Sequence, residues 1–97
     1  MQETTLADPE ELHEFLRVLR SIPRGHSLGH YAGHRWSATL EEDAGGKRFK
    51  LFAEELGGRE FVSFNLYLTG DNKPLLKPCE MPATKVIDFV LGYRHDG

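Results

Sequence analysis

RFKLFAEELGGREFVSFNLYLT, residues 48–69, changes between apolar and polar side chains almost step by step on both sides of a Gly-Gly pair. Phe49, Leu51 and Ala53 alternate with Arg48, Lys50, Phe52 and Glu54, and Val62, Phe64, Leu66 and Leu68 alternate with Phe61, Ser63, Asn65 and Tyr67. A period of two belongs to strands with one dry face and one wet face. Gly57-Gly58 supplies the positive φ that a tight turn demands. The stretch predicts an antiparallel hairpin.

Upstream, Trp36, Ala38 and Leu40 alternate with Ser37, Thr39 and Glu41, which adds a third strand. EEDAGGK at 41–47 repeats the pattern of EELGGR at 54–59, so the strands should run as a meander. Neither turn is a phosphate loop, because Lys47 is followed by Arg48 and a strand rather than by Ser or Thr and a helix. Downstream, TGDNKP at 69–74 returns the chain into Leu75-Leu76, a short fourth strand ahead of Pro78.

The ends of the chain follow a helical period. In DPEELHEFLRVLR, residues 8–20, Asp8 can cap, Pro9 fits the first helical position and Glu11 completes a variant capping box. Leu12, Phe15, Leu16 and Leu19 then form one apolar stripe, and Pro23 ends it. In PCEMPATKVIDFVLGYR, residues 78–94, Pro82 can occupy a first turn. Val86, Val90 and Tyr93 line one side, with Ile87 and Phe89 flanking, and Gly92 can close the helix. The expected fold is α+β, in the order α-β-β-β-(β)-α. It comprises a three- or four-stranded antiparallel meander with two helices packed mainly on one face. One domain, 1–97, is expected, with 1–7 disordered and 93–97 a flexible tail.

Apolar and charged fractions of 39% and 28% are those of an ordinary globular protein. The net charge of −3 sits entirely ahead of Arg24, where five acids face Arg17 and Arg20. That balance disfavours a nonspecific grip on duplex DNA. Cys79 is the one cysteine, which excludes an intramolecular disulfide and a thiolate-rich zinc finger. No apolar run approaches a membrane span and the amino end is acidic, so a cytoplasmic location and no membrane contact are expected.

RGHSLGHYAGHRW, residues 24–36, places His26, His30 and His34 four apart. As a helix it would stack them about 6 Å per step, but three interior glycines would each cost about 1 kcal/mol. As a strand it would hold them about 13 Å apart, beyond the reach of one metal ion. Arg24 and Arg35 would also repel a cation. The segment is therefore expected to be a glycine-rich crossover with exposed imidazoles, and neither a metal nor another cofactor is implied. His13 and His95 should be solvent groups.

Cys79 lies just ahead of the second helix, where amide donors and the macrodipole favour a thiolate. Glu80 opposes that, and no second cysteine can resolve an oxidised form. A small buried residue between Pro78 and Pro82 is the plainer reading, and a Cys79-dependent thiol redox enzyme is an alternative. The carboxylates at 41, 42, 54 and 55 read as a solvated rim, not as acid–base machinery.

The second face of the meander is the better candidate. It presents Ser37, Thr39, Arg48, Lys50, Phe52, Phe61, Asn65 and Tyr67, three aromatics among bases and small polar groups. Such a surface suits a protein partner, a second copy of the chain or, alternatively, single-stranded nucleic acid. The element order is similar to that of double-stranded RNA-binding domains. Their second helix opens on a lysine cluster, whereas CEMPATK here holds Lys85 alone, so the likeness brings no functional residues. The aromatic sheet face is similar in idea to that of an RNA recognition motif, whose RNP strings this chain lacks. The residues together imply a small noncatalytic interaction module using Arg48, Lys50, Phe52, Phe61, Asn65 and Tyr67, with a protein contact favoured by the acidic total charge.

Overall fold

The structure is a computed structural model that describes residues 4–5, 9–43, 45–70 and 73–96. The alternating stretches form β3 (His34–Asp43), β4 (Arg48–Glu55) and β5 (Phe61–Thr69), and the return after residue 70 forms β6 (Lys73–Pro78). The helices are α1 (Pro9–Ser21) and α2 (Ala83–Gly92). Three further strands are β1 (Thr4–Thr5), β2 (Gly25–Tyr31) and β7 (Arg94–His95). Among the described residues one antiparallel sheet runs β1-β6-β5-β4-β3-β2-β7. The fold is α+β with two helices, but the sheet has seven strands and not three or four.

The largest correction concerns residues 24–34. They are no irregular crossover: Gly25–Tyr31 pairs along its length with His34–Leu40. Ala32 at φ 52° and Gly33 at φ 80° make the two-residue connection. Positive φ at both central positions is the geometry whose twist suits a hairpin. Hydrophobic alternation is weak in β2 because two successive inward positions, ahead of Tyr31, are small. Ser27 and Gly29 point to the core side while His26, Leu28 and His30 face outward. Gly29 must be small, since a Cβ there would clash with the Arg94 carbonyl oxygen and lie 2.7 Å from the Tyr93 ring.

That contact also corrects the tail. Tyr93 is buried, and Arg94 and His95 pair with His30 and Gly29. At the other end Thr4 and Thr5 pair with Leu76 and Leu75, while the rest of 1–7 and the cap expected of Asp8 lie outside the described residues. Pro82 stands at the N-cap of α2, one place ahead of the first turn, in extended conformation.

The core lies on one face of the sheet. Trp36, Ala38, Leu40, Phe49, Leu51, Ala53, Val62, Phe64 and Leu66 point into it, as parity requires. Phe15 and Leu19 of α1 and Val86, Phe89 and Val90 of α2 close it from above. Phe15 meets Phe64 at 6.2 Å between ring centroids, and Phe89 meets Trp36 at 5.0 Å. Each of these fully buried aromatic side chains contributes about 1.5–3 kcal/mol through apolar burial. Arg24 ties the α1–β2 connection down: its guanidinium donates to the Ile22 carbonyl, pairs with Glu42 and sits 5.7 Å over the Phe49 ring. Among the described residues no helix is long and apolar enough to cross a membrane.

Candidate interaction face

Because both helices pack over the Trp36 side, the opposite face of the sheet carries what the alternation leaves outside. Cross-strand register sets its rows: Arg48 stands opposite Tyr67, Lys50 opposite Asn65, Phe52 opposite Ser63 and Glu54 opposite Phe61. Phe52 and Phe61 are 45% and 41% exposed, large values for phenylalanine in mid-sheet. Their rings stack at 6.3 Å and 27°, so they form one apolar island rather than two isolated groups. Beside them a hollow of about 340 Å³ is lined by Phe52, Phe61, Glu54, Glu55, Arg59 and Glu60.

Tyr67 is half-buried at the basic end of the face. The Arg48 guanidinium lies 6.0 Å from its ring centroid and the Lys77 ammonium 5.6 Å, both positions where a cation is attracted to the π face. Arg48 also reaches Asp43 at 3.3 Å. Lys50 is exposed and Asn65 half-buried in the row between Tyr67 and Phe52. At the opposite end the Lys85 ammonium stands 5.8 Å over Phe61 and 2.7 Å from Glu60. The outcome is an apolar centre with charges around it, the layout of a docking patch with a polar rim.

Three contributors escape a reading by spacing. Leu28, 40% exposed, belongs to the same face, in the row that runs through Ser37 and Glu54 to Phe61. Lys77 arrives from β6 and Lys85 from α2. The signal for Leu28 is the His26-Leu28-His30 parity of β2, visible only once that segment is recognised as a strand.

The remaining candidates do not assemble into a site. His26 and His30 lie on the outer face of β2, whereas His34 opens β3 and pairs with Glu55 at 3.2 Å. His30 reaches Asp96 at 3.4 Å. The strand holds these imidazoles apart, and no cluster of three His, Cys, Asp or Glu side chains suited to a metal occurs among the described residues. His13 and His95 are exposed. Cys79 is half-buried rather than buried. It ends the β6 ladder, its amide donating to the Ser63 carbonyl, and lies three residues before the N-cap of α2.

Comparison with family models, with curated proteins and with solved structures finds no match to this chain.

Proposed function

We propose that the chain is a small noncatalytic interaction module that docks a protein partner on the outer face of its sheet, around Arg48, Lys50, Phe52, Phe61, Asn65 and Tyr67. The observation that carries this is the stacked Phe52–Phe61 pair, exposed on a face that neither helix covers. Apolar area held in water on a rigid sheet gains free energy by burial against another surface at about 25 cal/mol per Å². The surrounding charges would then select orientation more than strength. An acidic total charge favours a protein over nucleic acid, and a lone cysteine, with no intramolecular disulfide to make, suits the cytoplasm.

The test uses Phe52→Ala, Phe61→Ala and the double variant. A protein recovered with the native chain, or the chain itself in a sedimentation dilution series, is titrated against each form. The reading requires at least about tenfold weaker association in each single variant, the loss of one anchor of about 1.4 kcal/mol. Unchanged association in the double variant overturns it. An oligonucleotide that binds with steep salt dependence and shifts the Tyr67 and Arg48 resonances would replace the protein reading with single-strand binding.

A further inference from the structure

Register divides the outer face about the line between β3 and β4. Across that line Asp43 stands opposite Arg48, Glu41 opposite Lys50 and Thr39 opposite Phe52, so acids border one side and bases the other. One strand further out, Leu28 of β2 and Phe61 of β5 lie in the same row, the one that passes through Ser37 and Glu54. Leu28 and Phe61 are therefore equidistant from the line, and both are exposed.

We propose that the occupant of this face is a second copy of the chain, packed sheet to sheet about a two-fold axis parallel to the strands and between β3 and β4. The proposal rests on the docking role given to the face and names its partner. A two-fold contact uses the same patch on both copies, so each residue on one side of the axis meets its counterpart from the other side. Glu41 then faces Lys50 of the second copy, Asp43 faces its Arg48, Phe61 faces its Leu28 and Phe52 covers its Thr39, each contact being made twice. No outward charge of β3 or β4 meets its like.

The charges select this partner. Glu41 and Lys50 are exposed and, among the described residues, form no ion pair although register sets them side by side, so both are open to an opposite charge from outside. Asp43 and Arg48 pair at 3.3 Å, and the same pair of a second copy laid over them completes a ring of alternating charges. The axis chosen by these charges also brings Phe61 onto Leu28 without further adjustment. An axis across the strands through Phe52 would set Lys50 over Glu54, but it would leave Phe61 over Asn65 and Leu28 off the start of β2.

Area sets the strength. Strands β2 to β5 stand about 4.8 Å apart and share rows over about eight residues, a flat of about 500 Å² per copy. Two copies would take about 1,000 Å² from water, the lower limit for a specific interface. The dimer should be weak and dissociate on dilution.

Sedimentation equilibrium of the full chain over a dilution series is the test. The native chain should form a reversible dimer with a micromolar Kd. Glu41→Lys and Lys50→Glu each set like charges against one another at two points and should weaken the dimer at least about tenfold. An equimolar mixture of the two variants restores opposite charges at both points and should associate as the native chain does. Leu28→Ala should also lose about tenfold. All three positions are exposed, so the variants keep the fold. A native chain that stays monomeric at about 1 mM, or a mixture no tighter than either variant alone, overturns the proposal. Rescue by mixing Lys50→Glu with Glu54→Lys, and not with Glu41→Lys, overturns it in favour of the crossed axis. If the chain is monomeric while Phe52→Ala still weakens binding of another protein, the second copy is overturned and the face keeps its docking role; if Phe52→Ala alters no association, that role falls as well.

Discussion

The Tyr93 hydroxyl and the Ser27 hydroxyl lie 3.0 Å apart inside the protein, joining the residue after α2 to the middle of β2. The Tyr93 ring also stacks on Phe89 at 5.1 Å, so one side chain fastens strand, helix and carboxyl end together. Burial pushes the phenol above its usual 10, an effect the Ser27 hydrogen bond opposes and the Asp96 charge reinforces. A raised folded-state value means that the native state holds the proton more tightly than the unfolded chain. The stabilisation is complete below pH 10 and drains away as pH rises beyond it. Tyr93→Phe should cost about 1 kcal/mol at neutral pH, with Ser27 left unpaired. In urea melts at a series of pH values, the gap between native and variant should narrow above pH 10; a gap that widens there refutes the burial argument.

Gly29→Ala should be far more damaging than its exposed neighbours suggest. The new methyl group would overlap the Tyr93 ring and the Arg94 carbonyl, which cannot both yield without unpairing β7. Overpacking of this kind costs about 1–3 kcal/mol. Hydrogen exchange should show faster amides at 94–96 in the variant, and unchanged protection there would mean that β7 does not depend on the fit.

These two residues explain why β2 is hard to read in a sequence while β3, β4 and β5 are plain. Alternation marks a strand when one face buries large apolar groups, as Leu51 and Phe64 do. In β2 the buried positions are Ser27 and Gly29, chosen by a tyrosine more than sixty residues away. The two-residue strands β1 and β7 are too short to carry any period. Parity alone places Phe52, Phe61 and Tyr67 on the outer face. Lys77 and Lys85 reach that face from other elements, and the shared row of Leu28 and Phe61 depends on hairpin register, which no local spacing encodes.

The opposite polarity of the two sheet faces predicts unequal costs for truncating similar rings. Phe64, fully buried against Phe15, should lose about 3–5 kcal/mol on replacement by alanine. Phe52→Ala gives up one exposed stacking contact with Phe61 and should cost under about 1 kcal/mol. Chemical denaturation of the two variants measures the difference. Similar losses would mean that the outer face is covered, and with it would go the basis for a docking role.

The hairpin between β2 and β3 can be strengthened at Ala32. A non-glycine residue in the left-handed region costs about 1–2 kcal/mol because Cβ crowds its own carbonyl oxygen, and Ala32 sits there at φ 52°. Asparagine tolerates that conformation, and Asn followed by Gly33 is the favoured pair for a two-residue turn with both φ values positive. Ala32 is exposed, so the longer side chain meets solvent. Ala32→Asn should therefore stabilise the protein by about 0.5–1 kcal/mol, a rise of about 3–6 °C in Tm for a chain of this size. A flexible crossover at 24–34 would gain nothing from the change, so an unaltered Tm would restore that picture and remove Leu28 from the interaction face.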